Sequence, residues 1–327
     1  MSNEPTTLWT MRIVALAGGI GAGKFLRGLV RNLPPADLTV IVNTADDIVV
    51  NGLYVCPDLD SVTYWLGGVM DRERGWGRRG ETFRATEELR RLEQDLAWFN
   101  LGDLDLATHM FRTRLLGEGA RLSEVTARIA ARFGIASRIL PASDDSMTTR
   151  ITVVSMGREL DLHFQEYWVR RRARDEVKAI RYEGADRARS APGVLESIAD
   201  AEAVIICPSN PVASVGPILA ISGVRRALER RRDVVVGVSP IVGGAPLAGM
   251  ADKLMPVVGL EVSALGAALA YQGMLAGWIV DEADRDLAPK IEEAAGVRVA
   301  VTDTIMRNDE IATALARSAL HLLGAQR

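Results

Sequence analysis

The stretch Gly18-Gly19-Ile20-Gly21-Ala22-Gly23-Lys24 stands directly after the apolar run 13–17. It is followed at once by Phe25-Leu26-Arg27-Gly28-Leu29-Val30, whose apolar residues recur at helical spacing. This order predicts strand, glycine loop and helix, and no other feature constrains the fold as strongly. Glycines let a backbone approach a ligand closely, and the unpaired N–H groups that open a helix favour an anion. A phosphate is the expected occupant, and a tight α/β turn without a ligand is the plainer alternative.

Two known fingerprints almost fit the loop. Gly18, Gly23 and Lys24 match G-x-x-x-x-G-K, but Phe25 stands where a P-loop needs the hydroxyl that holds magnesium. The dinucleotide pattern G-x-G-x-x-G also fails, ending on Lys24 if begun at Gly19 and on Leu26 if begun at Gly21. Any magnesium must therefore be held by other residues.

Further along, Pro34-Pro35 closes the first helix and 38–42 supplies a second β-branched run, completing a βαβ unit with a parallel sheet. The carboxyl end of that second strand should lie beside the glycine loop. There the chain turns polar, with Asn43-Thr44-Ala45-Asp46-Asp47, then Asn51-Gly52, then Cys56-Pro57-Asp58-Leu59-Asp60 ahead of a helical run from Val62. One of these acids could cap the helix, a role worth about 1 kcal/mol. Capping does not account for four carboxylates at one sheet edge. Magnesium takes carboxylate oxygens together with phosphate oxygens, so two or three of these acids facing a glycine-loop phosphate would make a metal–diphosphate site.

The 327 residues are 48% hydrophobic and 25% charged, enough for a sizeable core in one large domain or two small ones. With 39 basic and 42 acidic residues, the formal charge of -3 gives no global case for nucleic acid or an anionic membrane. Two cysteines, Cys56 and Cys207, cannot make a four-cysteine zinc site, and their scarcity suits a reducing cytosol. Residues 1–10 are polar and lack a signal-peptide pattern, so they are expected to be a loose tail of a cytoplasmic protein. The apolar segment 257–280 is interrupted by Glu261, Ser263, Tyr271 and Gln272, which predicts a core helix rather than a membrane span.

Residues 11–327 are expected to form one α/β domain, a Rossmann-like, mostly parallel sheet flanked by helices. Residues 72–183, with helices over 81–97 and 123–133 and a strand over 149–155, read as an inserted, mainly helical subdomain covering the sheet edge. Within it, 72–79 is Gly- and Arg-rich around Trp76, a pattern that can stack a planar ring or simply be solvated surface. Strand–helix alternation returns at 203–207, which ends on Pro208-Ser209-Asn210-Pro211, and again at 234–238. A late strand at 298–301 and a closing helix at 310–323 finish the chain. The Pro208 turn is a second site at a strand's carboxyl end, where open α/β sheets bind ligands.

Together these motifs resemble the 2-phospho-L-lactate transferase family of coenzyme F420 biosynthesis, whose actinobacterial members act as phosphoenolpyruvate transferases. The residues carrying the resemblance are Gly18-Gly19-Ile20-Gly21 with Lys24, Asn43 to Asp47, Pro57 to Asp60, Gly102-Asp103-Leu104-Asp105-Leu106-Ala107-Thr108-His109, Gln165-Glu166-Tyr167 and Pro208 to Pro211. Leu104 replaces an Arg of the family pattern, and Gly249-Met250-Ala251 replaces Gly-Pro-Ala.

The resemblance implies a magnesium-dependent, GMP-releasing transfer by a homodimer. A guanosine diphosphate ester of enolpyruvate or lactate would pass its phospho-ester to the ribityl hydroxyl of 7,8-didemethyl-8-hydroxy-5-deazariboflavin. Gly18, Gly19, Gly21, Lys24, Asn43, Pro208, Ser209 and Asn210 would hold the nucleotide, and Asp47, Asp58 and Asp60 the metal. Asp47 and Asp60 are the catalytic expectation, with Asp60, Asn100, Asp103 and His109 at the acceptor. A regulatory sugar-nucleotide-binding protein of the same fold is the nearer alternative, but it carries a Gly- and Ser-rich continuation after its Asp pair where this chain has Ile48-Val49-Val50-Asn51-Gly52. An NAD-dependent dehydrogenase, the more distant one, is disfavoured by the broken dinucleotide fingerprint.

Overall fold

In the computed structural model, which describes residues 9–324, seven parallel strands form the central sheet. In chain order these are β1 (Ile13–Ala17), β2 (Leu38–Val42), β3 (Arg138–Pro141), β4 (Ala203–Ile206), β5 (Val235–Val238), β6 (Gly277–Asp281) and β7 (Arg298–Thr302). Their spatial order is β7-β6-β5-β4-β1-β2-β3. β1, β4, β5 and β6 are buried throughout, as expected of parallel strands covered by helices on both faces. This is a doubly wound sheet, and its order reverses between β1 and β4. The crevice outside the carboxyl ends of those two strands is where such sheets bind ligands.

The glycine loop opens the helix Gly19–Leu29, which packs against the closing helix Asp309–Gly324. The contact is close because position 28 has no side chain: an added Cβ would stand 2.2 Å from the Ala312 carbonyl oxygen. Arg27, Arg31 and Arg72 converge on Asp309 at 2.7–3.1 Å and tie the 71–82 loop to both helices. A short hairpin, Ile48–Val50 with Leu53–Val55, turns on Asn51-Gly52, both at positive φ, and delivers the chain into the helix Pro57–Leu66.

Three parts of the sequence reading change. First, 72–183 holds α-helices only as far as Arg132; it then supplies β3, an outer strand of the main sheet. After β3 comes a three-stranded antiparallel sheet of Thr148–Ser155, Arg158–His163 and Glu176–Glu183. Alternating burial along Thr148–Ser155 sends Ile151 and Val153 into the main core, so this sheet is a wall of the domain rather than a helical cap. Second, 257–280 is not one helix but a short helix, Ala264–Leu269, followed by strand β6. Gly259 and Gly273 both take positive φ, which breaks the helical run on either side. Third, within the tail expectation 1–10, residues 1–8 lie outside the described residues, but Trp9 is docked. Its N–H donates to the Asn32 carbonyl at 2.9 Å and its ring meets His321 edge-on at 5.3 Å. No helix among the described residues is long and apolar enough to cross a membrane.

Candidate functional site

A cleft of about 890 Å³ opens at the β1–β4 crossing. Its two strand-end loops are locked together: the Gly18 N–H donates to Ser209 Oγ at 3.3 Å, and the Ser209 hydroxyl donates to the Gly18 carbonyl at 2.9 Å. An added Cβ at Gly21 would stand 2.3 Å from the Pro208 carbonyl oxygen, and one at Gly18 would stand 2.5 Å from an Asp58 carboxylate oxygen. The glycines therefore serve loop-to-loop packing as well as ligand access. Gly19, at φ 74, gives its N–H to Asp58 Oδ1 at 2.7 Å, so a carboxylate of the protein already occupies part of the expected anion cradle. Ile20 and Gly21, in the first turn, have no intrahelical acceptor for their N–H groups, and both residues line the cleft beside half-buried Lys24.

Asn43 organises the acids. Its amide donates to Asp46 Oδ1 at 2.8 Å and to Asp58 Oδ2 at 3.0 Å, while its own carbonyl accepts the Ala45 N–H at 2.9 Å. Burial and the Asp58 charge hold Asp46 well above the usual carboxylate range. Burial pushes Asp58 up to about 6 against the hydrogen bonds from Asn43 and Gly19. Asp47 is also held well above its ordinary value by burial. Neither of its oxygens makes a hydrogen bond of ordinary geometry, although the Cys56 thiol and Tyr54 hydroxyl interact with it. Three buried acids thus share too few donors. Among the described residues, the ligand atoms that lie close enough together to share an ion, within 4.8 Å of one another, are those of Asp60, Asp105 and His109.

Asp60 is different. Arg112, buried on the helix Asp103–Gly117, grips both of its oxygens and also donates to the Tyr54 carbonyl at 3.3 Å. His109 lies between Asp60 and Asp105, with Nδ1 3.6 Å from Asp60 and Nε2 3.3 Å from Asp105. Because Arg112 can only donate, its 3.2 Å contact makes His109 Nδ1 an acceptor and leaves the ring proton on Nε2, facing Asp105. Tyr64 donates to the same Asp105 at 2.6 Å. Burial alone would raise the Asp105 carboxyl, but His109 and Tyr64 reverse this and hold it low.

Most of the residues expected from sequence meet here. Gly18, Gly19, Gly21, Lys24, Asp58, Asp60, Asn100, His109, Pro208, Ser209 and Asn210 line the cleft. Asn43 and Asp47 are buried beneath the lining, and Asp46 rather than Asp47 presents a carboxylate on the wall. Asp103 does not reach the cleft. It accepts from the Thr82 hydroxyl and from the Arg84 and Ala85 N–H groups, holding the start of the helix Arg84–Leu92. Arg112, Asp105 and Tyr64 were missed, yet the pattern was present. Positions 105, 108, 109 and 112 share one helical face, and Asp, Thr, His and Arg buried together there mark a polar network rather than a solvated surface.

Comparison with known proteins places the chain. The family model described as 2-phospho-L-lactate transferase CofD matches residues 13–318. A protein of Streptomyces griseus named phosphoenolpyruvate transferase is 50% identical over 95% of this chain and 98% of its own length. Its namesake in Thermobifida fusca is 46% identical over the same shares of both chains. A solved structure of a UPF0052 family member from Bacillus halodurans shares the fold at a TM-score of 0.62, with 16% identity, covering 95% of this chain and 99% of that one. With a glycine loop, a carboxylate cluster and a His109–Arg112 network around one crossing, and with these relatives, the chain belongs to the 2-phospho-L-lactate transferase CofD family.

Proposed function

We propose that this protein transfers a phosphoenolpyruvyl group from a guanosine diphosphate ester to the ribityl hydroxyl of the deazaflavin acceptor, releasing GMP. The observation that carries the reading is that Asp46, Asp58 and Asp60 line the same cleft as the glycine loop and Ser209. Enolpyruvate is favoured over lactate because the named relatives, actinobacterial like those from Streptomyces, are phosphoenolpyruvate transferases.

In this reading the N–H groups of Ile20 and Gly21 and the Lys24 ammonium meet the donor's diphosphate. Asp46, Asp47 and Asp58 would hold magnesium, which when bound neutralises diphosphate charge. Asp60, fixed by Arg112, contacts the acceptor hydroxyl and takes its proton. The hydroxyl oxygen bonds to the phosphorus that carries the enolpyruvyl group, and the bond from that phosphorus to the GMP phosphate breaks. Cys56 and Cys207 are buried, with thiols pushed up by burial, and offer no nucleophile for a covalent intermediate. Holding the two reactants in line accounts for most of the acceleration.

GMP release must depend on the acceptor, which nucleotide chromatography checks directly; release at the same rate without deazaflavin would remove the transferase reading. Calorimetry with GDP, ADP and UDP tests the nucleotide, and equal affinity for all three would remove guanosine selectivity. Gly21→Ala is expected to weaken GDP binding roughly tenfold, about 1.4 kcal/mol, by pushing the Pro208 loop away. Unchanged affinity would show that the two loops can part without cost. The homodimer implied by the resemblance is checked by light scattering in solution.

A further inference from the structure

Two tryptophans face the cleft from segments outside the seven-stranded sheet. Trp76 is 36% exposed and Trp168 is 38% exposed, and both line the cleft. Trp76 is held in place by a built loop. The Asp71 carboxylate accepts the Glu73 and Arg74 N–H groups at 3.1 and 3.0 Å, and its backbone pairs with Gly75 and Gly77 at 2.9 and 3.1 Å. The Arg74 guanidinium lies 5.3 Å from the Trp76 ring centre and 4.8 Å from that of Phe83, while Phe83 meets Trp76 edge-on at 5.9 Å.

The loop is fastened at both ends of the site. Glu81, whose side chain is fully buried, accepts the Arg78 N–H at 2.6 Å and the Asp105 N–H at 3.1 Å. Gly75, at φ 76, abuts Ile20 of the glycine loop. An indole free in solvent needs none of this support. Trp168 sits in the π-helical turn Glu166–Arg170, directly after Phe164 and Gln165, which also line the cleft; such turns concentrate at functional sites.

A rigid indole at a cleft wall recognises a planar aromatic ring by stacking. The sheet decides which substrate brings that ring. Phosphates belong at the β1–β4 crossing, and the loops after β5 and β7 offer Ser239, Pro240 and Thr304 to the nucleoside. The inserted segments offer Trp76, Phe99 and Trp168 to the same cleft. Both tryptophan segments are tied to the 95–109 stretch that carries Asn100 and His109: Glu81 joins the Trp76 loop to Asp105, and Arg170, at the end of the Trp168 turn, pairs with Asp95 at 3.3 Å.

We propose that Trp76 and Trp168 form the stacking subsite for the tricyclic ring of the acceptor, and that the purine base of the donor binds elsewhere. This rests on the transferase reading above. The test measures the KM of acceptor and donor separately for the wild type and for Trp76→Ala, Trp168→Ala and Trp76→Phe. Each alanine variant is expected to raise the acceptor KM roughly tenfold. The donor KM should stay within about twofold and serve as the folding control. Trp76→Phe should recover most of the loss, because a phenyl face still stacks. Product formation with an unmoved acceptor KM in both alanine variants overturns the subsite alone, as does a rise in the donor KM instead. A wild-type enzyme that forms no product overturns the transferase reading together with the subsite.

Discussion

Replacing Asp47 with asparagine is expected to reduce turnover by about a thousandfold or more while leaving the protein at least as stable as the parent. Both Asp47 oxygens are buried without an ordinary hydrogen bond, and burial holds the carboxyl well above its usual range. The fold gains nothing from that charge, so the expected role of the carboxylate is to hold an ion. The pH dependence follows. Asp58 is raised from 3.8 to about 6, so its contribution to stability is complete below 3.8 and is lost as pH rises through about 6. Asp46 and Asp47 act in the same direction. Calorimetric unfolding with and without magnesium should therefore show a larger stabilisation by the ion at about pH 7.5 than at about pH 5. An Asp47→Asn enzyme with parental activity and the same magnesium dependence would remove Asp47 from the metal set.

Arg112→Met carries the other large effect, on stability as well as rate. Arg112 is 2% exposed and holds both oxygens of buried Asp60. Removing one member of a buried pair strands the other charge, at about 3–5 kcal/mol, a large part of the roughly 5–15 kcal/mol that keeps a domain folded. The double variant Arg112→Met/Asp60→Asn should recover part of that stability in urea unfolding but none of the activity, since the proposed contact of Asp60 with the acceptor is lost. Arg112→Lys should not substitute, because a single ammonium cannot grip two oxygens. If the two single losses simply add in the double variant, Arg112 and Asp60 are not coupled and the pair does not position the acceptor.

The sheet was legible because its strands are short, apolar and spaced by turn residues; β1, β2, β4, β5 and β7 can be read within two residues. β3 and β6 were hidden. Arg138–Pro141 is only four residues long with an arginine and a proline, and Gly277–Asp281 follows an Ala-rich run that mimics a helix. At the site, Asp58 and Asp60 were readable from Pro57, since proline opens a helix and places the acids in its first turn. What could not be read was which acid faces which partner. Asp103 and Asp105 stand two residues apart in one motif, but about 200° apart around a helix, so one holds the start of a neighbouring helix and the other joins His109. Arg112 pairs with Asp60 across 52 positions of sequence, a contact set by tertiary packing rather than local pattern.

The most direct test of the account is mass spectrometry of reactions that contain the deazaflavin acceptor, magnesium and either the enolpyruvyl or the lactyl ester of guanosine diphosphate. The account predicts an acceptor heavier by one enolpyruvyl phosphate, formed with an equal amount of GMP, and little product from the lactyl donor. An acceptor left unmodified by both donors, or nucleotide released as GDP, would contradict it.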